Sequence, residues 1–207
     1  MMVSALIERE MTRSHLPLRN GVFIAVTGPS GAGKDTLIAY ARKQLSGLED
    51  VCFARRVITR ESDSTEDHDT LSDAEFQKAE VEGAFAICWS AHDLRYGIPA
   101  SADLDIEDGR VVIANVSRAI IPALLDRYAN VTLIEVTASE DILAGRLAAR
   151  GREGSNEISA RLARTVIAQS DVPVTRIDNS DTPEIGGERL VATIRKALAF
   201  ADVSGTV

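Results

Sequence analysis

The chain has 207 residues, 45% of them apolar, and a formal charge of −8 from 31 acidic and 23 basic side chains. This suits one domain with an ordinary core and excludes a disordered chain. The acidic balance repels nucleic-acid phosphates and anionic membranes at long range, and it still leaves room for a local basic cleft.

Residues 1–20 mix Glu8, Arg9, Glu10 and Arg13 with few consecutive apolar positions. They read as a tail or loose short helix without the apolar core of a secretion signal. Whether translation starts at Met1, Met2 or Met11 stays open. Gly21 to Thr27 is a buried strand, followed by a helix from Lys34 to about Leu45 with Leu37, Ile38, Ala41 and Leu45 on one face. Val51 to Thr59 reads as extended, and the polar run Arg60 to Leu71 as a surface or substrate-facing segment. Ser72, with Glu75 three residues on, has capping-box spacing for a helix that reaches Val81 and stops at Gly83. Phe85–Trp89, Arg110–Ala114 and Val131–Val136 read as strands, and a helix through Leu124 and Leu125 follows the second. Ser139 caps a helix to about Ala149, and Glu157 to Gln169 is again helical. Val174–Ile177 is a last strand, and Thr182-Pro183 opens a closing helix carrying Ile185, Leu190, Ile194 and Leu198. Repeated strand–helix units with apolar strands imply an α/β fold, a mostly parallel central sheet covered by helices. Cys52 and Cys88 are far apart, and His15, His68 and His92 show no zinc spacing. The cysteines are expected to be reduced and structural, in a cytoplasmic protein with no membrane span.

Gly28-Pro29-Ser30-Gly31-Ala32-Gly33-Lys34 lies between the first strand and the first helix. That is the required context of a nucleotide phosphate loop, whose inward N–H groups and helix N-terminus cradle phosphates. Lys34 would hold the β and γ phosphates of ATP. The next residue, usually Ser or Thr with its hydroxyl on Mg²⁺, is Asp35, followed by Thr36. Thr36 is turned about 100° away on a helix and is no automatic substitute. Asp35 either serves Mg²⁺, directly or through water, or stabilises the helix start facing solvent. The strand Val111–Ala114 leads into Asn115-Val116-Ser117-Arg118 and offers no carboxylate. That disfavours a water-activating ATPase and suits a kinase whose acceptor oxygen already belongs to a phosphate.

Arginine grips phosphoryl oxygens with two parallel bonds. Arg60 and Arg118 follow predicted strands, while Arg146, Arg150, Arg152 and Arg161 cluster around Gly151 and Gly154, and the break at Arg150 to Ser155 reads as the hinge of a lid. A solvated face with Glu153 and Glu157 as partners is the plainer alternative. His68, amid Glu66, Asp67 and Asp69, either reaches an acceptor or sits in a solvated acidic loop. Tyr96 is a candidate for bonding an acceptor phosphate, and Trp89 a candidate for the core.

These motifs together resemble the guanylate kinase fold group. The chain is most similar within it to the ribose 1,5-bisphosphate phosphokinases of bacterial phosphonate degradation, over about residues 21–198. The specific part is Asp35 after the loop lysine, Val116-Ser117-Arg118, and the Arg150-Gly151-Arg152-Glu153 run, together with Arg56-Val57-Ile58-Thr59-Arg60, Glu66-Asp67-His68 and Tyr96-Gly97. The resemblance implies one P-loop kinase domain over 21–207, with an acceptor-binding insertion at about 59–99 and an arginine-bearing lid at about 150–157. It implies ATP and Mg²⁺ as cofactors and a phosphorylated sugar as substrate, and it leaves a homodimer open as the assembly. Lys34, Arg150 and Arg161 would be catalytic. Gly28 through Thr36, Arg146 and Asn179 would line the nucleotide, Asp35 would face the metal, and Arg60, His68, Tyr96 and Arg118 would hold the acceptor. The positions that read guanine in guanylate kinases fall on Ile87 and Ile98. A purine left without polar partners there would cost on the order of 1–3 kcal/mol for each one missing. A nucleoside monophosphate kinase is the rival reading, followed by a nonenzymatic binding domain and a gluconate-type sugar kinase.

Overall fold

Val22–Thr27 form β1, and all six residues are buried. A strand this apolar, without polar alternation, needs cover on both faces, and its side chains must part between them. In the computed structural model, which describes residues 16–61, 67–150 and 172–204 (side chains of 149, 150 and 202–204 excepted), that is what happens. Val22, Ile24 and Val26 enter one core cluster with Leu37, Ala41, Leu190 and Ile194. Phe23 and Ala25 enter a second with Val112, Ala114, Leu124, Tyr128 and Leu133.

β1 is the middle strand of a five-stranded sheet whose other members are β2 (Val51–Phe53), β7 (Val111–Asn115), β8 (Val131–Thr137) and β9 (Val174–Asp178). The order is β2-β7-β1-β8-β9, and every pairing is parallel. The first core lies under α1 (Lys34–Gln44) and α6 (Pro183–Ser204). The second lies under α3 (Ser101–Glu107) and α4 (Ile121–Arg127), the latter preceded by a 3₁₀ turn at Arg118–Ile120. There Phe23 stacks on Tyr128, with ring centroids 4.8 Å apart. The Tyr128 hydroxyl donates to Asp103 at 2.8 Å. Burial first, and then the Asp103 carboxylate, push the phenol well above its ordinary range. The helix α5 (Glu140–Arg150) follows β8.

A second sheet, ordered β4-β3-β6-β5, stands at the C-terminal side of this core and is mostly antiparallel. It contains β3 (Val57–Ile58), β4 (Asp69–Thr70), β5 (Phe85–Ala91) and β6 (Leu94–Pro99), with α2 (Asp73–Val81) packed on it through Phe76 and Phe85. The capping box of Ser72 and Glu75 forms as its spacing predicts.

The stretch expected to be one extended element, Val51 to Thr59, is two strands in two sheets. Ala54 N–H still bonds the Ile113 carbonyl of the core sheet, and by Val57 the chain is paired with Gly97 of the other. The hairpin partner β6 and the helix α3 were not predicted. The β5–β6 turn is His92-Asp93 with φ of 53° and 58°, a left-handed pair without the Asn or Gly that normally announces it. Residues 16–20 belong to the body rather than to a tail. Leu18 N–H bonds the Arg127 carbonyl, and Asn20 bonds the Glu107 carbonyl. The predicted helix at 157–169 and most of the expected lid lie outside the described residues. Ile185, assigned to the apolar face of the last helix, is 43% exposed. Both cysteines are free thiols. No helix among the described residues is long and apolar enough to cross a membrane.

Phe23 is fully buried and stacked, so Phe23→Ala is expected to lower stability by about 3–5 kcal/mol in urea denaturation, through lost burial and a residual cavity.

Candidate active site

The loop between β1 and α1 is shaped by two close approaches. A Cβ on Gly28 (φ 142°) would stand 2.1 Å from the Val136 carbonyl oxygen, and one on Gly33 (φ 88°) 2.4 Å from Asn179 Nδ2. No side chain fits at either point, and both backbones are in a region that suits glycine. The loop is pressed against the ends of β8 and β9 and continues directly into α1. Lys34 Nζ donates to the carbonyls of Gly28 and Pro29 at 2.9 and 3.0 Å, which holds the ammonium across the mouth of the loop.

The loop is held from behind by two residues expected near the nucleotide. Asn179, 1% exposed, follows β9 and donates to the Ala32 carbonyl at 2.8 Å. Arg146 on α5 donates to the carbonyls of Gly31 (3.3 Å) and Asn179 (3.1 Å). In this geometry Asn179 touches the loop's backbone and lies beneath it.

Asp35 and Asn115 explain each other. Asn115 ends β7 beside Val26 of β1, and its Nδ2 donates to Asp35 Oδ1 at 2.8 Å. Arg56 Nη2 approaches the same oxygen at 3.4 Å. Thr36 is exposed on the neighbouring face of α1, as the helix rotation requires. In the usual phosphate-loop arrangement the helix supplies a hydroxyl and a strand end supplies the carboxylate. Here the helix carries the carboxylate and the strand end carries a neutral amide that orients it. Both described contacts fall on Oδ1, and a carboxylate is a hard oxygen donor of the kind Mg²⁺ takes, although among the described residues no cluster of three His, Cys, Asp or Glu side chains surrounds it.

A second carboxylate, Glu135, was not singled out from sequence. It is the 4% exposed fifth residue of β8, in register with Thr27 at the root of the loop. Its two oxygens accept from Arg118 Nη2 and Arg176 Nε, each at 3.0 Å. The available signal was an acidic residue inside the apolar run Val131–Thr137. Arg118, expected on the acceptor, is thus anchored to a carboxylate at the sheet's C-terminal edge.

Beside the second sheet, the Arg60 carbonyl accepts from Thr70 Oγ1 at 3.0 Å and lies 3.1 Å from His68 Nε2, which must therefore carry the proton. His68, expected on the acceptor, is 1% exposed and braces the backbone of Arg60. Asp67 and Asp69 are tied up as well. Arg42 of α1 bonds Asp67 at 2.6 Å, and Arg55 reaches Asp67 at 3.0 Å and Asp69 at 3.3 Å. The hydrogen bond from Arg42 is the main cause holding the Asp67 carboxyl below its usual range. These exposed pairs add little stability but link the acceptor tract to the helix that begins with the phosphate loop.

Tyr96 of β6 faces Trp89 of β5, and the rings stack 5.2 Å apart. Two pairs further along, Ile87 and Ile98 oppose each other in the second core, 8% and 0% exposed. The adjacent Cys88 thiol is pushed up to about 11, first by burial and then by Glu80, so it stays protonated at neutral pH. Arg150 is the last residue of α5; its side chain, and all of Arg161, lie outside the described residues.

No family model matches the chain. It is 48% identical to the ribose 1,5-bisphosphate phosphokinase PhnN of Chelativorans sp. over the full length of both chains. It is 46% identical to the protein of the same name from Pseudofrankia inefficax, over 86% of this chain and 92% of that one. Among solved structures it superposes on a guanylate kinase from Anaplasma phagocytophilum with a TM-score of 0.62, at 17% identity and 85% coverage of each chain, which speaks for the fold alone.

Glu135→Gln leaves two guanidinium groups around a neutral amide, one of them less than a fifth exposed. The variant is expected to lose about 3 kcal/mol of stability in chemical denaturation.

Proposed function

The chain belongs to the ribose 1,5-bisphosphate phosphokinase family, and from that membership we propose that it moves the γ-phosphoryl group of ATP onto the 1-phosphate of α-D-ribose 1,5-bisphosphate. The products are ADP and 5-phospho-α-D-ribose 1-diphosphate, and the setting is phosphonate breakdown in the cytoplasm, without a nucleic-acid or membrane partner. The observation that carries the reading is the full-length similarity to these phosphokinases, together with an intact phosphate loop that has Lys34 across its mouth.

The acceptor oxygen belongs to a phosphate that is already ionised at neutral pH, so no side chain has to remove a proton. What remains is positioning and neutralisation of charge. Lys34 slides from its carbonyls to the β and γ oxygens. The loop's N–H groups and the start of α1 hold the β-phosphate. Arg150 and Arg161 close over the phosphoryl group in flight. Arg60, steadied by His68 and Thr70, grips the acceptor with Tyr96, while Arg118 works from its anchor on Glu135. Asp35, oriented by Asn115, is the residue that would hold Mg²⁺, and Mg²⁺ bound there supplies neutralisation of the β,γ-phosphate charge. Arg146 and Asn179 act on the nucleotide by keeping the loop in shape.

Three outcomes test this. Incubation with Mg-ATP and a panel of acceptors is expected to give ribose 1,5-bisphosphate turnover far above that of GMP or dGMP, with the diphosphate product identified by mass; dominant GMP turnover would make the chain a nucleotide kinase. Lys34→Ala is expected to lower kcat by about 100-fold or more with an unchanged melting temperature. Asp35→Ala is expected to raise the Mg²⁺ concentration needed for half-maximal rate, and an unaltered Mg²⁺ dependence would remove the metal role.

A further inference from the structure

Arg56 has a place and an environment that the account above does not use. It lies where the chain crosses between the sheets, two residues after Ala54 bonds the core strand β7 and one before β3 begins. Its own carbonyl accepts from Asp69 N–H at 2.8 Å, which fixes its backbone to the acceptor sheet. Its side chain runs the other way, to the first turn of α1, and ends beside Asp35, the residue after Lys34. The guanidinium therefore stands between the phosphate loop and the acceptor sheet.

The residue is 9% exposed. A guanidinium this buried is costly unless close partners satisfy it. Among the described residues its one side-chain partner is Asp35 Oδ1 at 3.4 Å. A charge-assisted bond of this kind normally runs at about 2.7–2.9 Å and engages both oxygens. The oxygen it approaches is already held at 2.8 Å by Asn115. By contrast, Arg118 has its carboxylate at 3.0 Å. Arg56 is a planar fork of donors, mostly buried beside the residue that follows Lys34, with a long and shared contact.

We infer that Arg56 is a substrate-binding residue that grips the acceptor phosphate receiving the γ-phosphoryl group. The inference rests on the phosphotransfer reading given above. A phosphate offers two free oxygens to the fork, where Asp35 offers one that is already bonded. Transfer of the guanidinium from Asp35 to the acceptor leaves that carboxylate held by Asn115. If Arg56 served only as counter-charge to Asp35, its loss would weaken Mg-ATP and spare the sugar.

The test compares wild type, Arg56→Gln and Arg56→Lys by calorimetry with ribose 1,5-bisphosphate and with ribose 5-phosphate, which lacks the receiving phosphate, and by steady-state KM for both substrates. Arg56→Gln is expected to weaken bisphosphate binding by about 10- to 100-fold, leave ribose 5-phosphate binding unchanged and leave KM for ATP unchanged. Arg56→Lys keeps the charge but not the fork, and is expected to fall between the two. Undiminished bisphosphate affinity in a folded Arg56→Gln protein overturns the inference, as do equal losses for both sugars or a loss confined to Mg-ATP. If Arg56→Gln does not fold, Arg56→Lys decides, with wild-type bisphosphate affinity as the overturning result. Failure of the unaltered protein to bind or phosphorylate the bisphosphate would overturn the function itself and this assignment with it.

Discussion

A loop that wraps phosphates with its own backbone has to touch its supporting strands without side chains in between. Gly28 lies against the Val136 carbonyl and Gly33 against the Asn179 amide, at distances no Cβ survives. Everything else in the site is arranged around that contact. β1 must be straight and buried on both faces to deliver the loop to the sheet's C-terminal edge. The ends of β8 and β9 must be in register to receive it. Arg146 and Asn179 then close the back of the loop by bonding its carbonyls, leaving its N–H groups and Lys34 for the nucleotide.

The charges at that edge are placed by strand ends. At this edge Asn115, the end of β7, pairs with Val26 of β1, and Thr27, the end of β1, is in register with Glu135 of β8. Glu135 neutralises Arg118 and Arg176, and Asn115 aims the one carboxylate that the loop itself carries. Moving the acid from strand to helix keeps one negative group next to the phosphates while changing the side from which it approaches. That negative group is tolerable only with cations near it, and Lys34 and Arg56 are both within its neighbourhood.

The acceptor side is built by the chain leaving the core. After Ala54 the backbone exchanges one sheet for another within three residues, and the acidic tract that follows is pinned back onto α1 through Arg42 and Arg55. Phosphate loop and acceptor sheet thus share α1 as a common support. Along the hairpin, aromatic stacking of Trp89 on Tyr96 gives way to the opposed Ile87 and Ile98, which are buried in the second core.

The amino-acid sequence by itself determined the phosphate loop, the parallel α/β core and the capped helix α2, because each depends on local spacing: glycines before a lysine, runs of apolar residues between helical periods, Ser72 three residues ahead of Glu75. It also showed that Asp35 was unusual and that the β7 end lacked an acid, but as two separate oddities. Only the folded chain joined them, since Asn115 and Asp35 are 80 positions apart and meet because β7 lies beside β1. The same holds for Glu135, whose value lies in arginines drawn from two other elements, and for His68, whose acidic neighbours suggested an exposed ligand while tertiary packing buried it behind Arg60. The hairpin turn at His92-Asp93 escaped sequence reading because its left-handed pair contains neither Asn nor Gly, the usual signal for such a turn. Local chemistry is written along the chain; which charges face one another is set by strand order, and strand order is a property of the whole sheet.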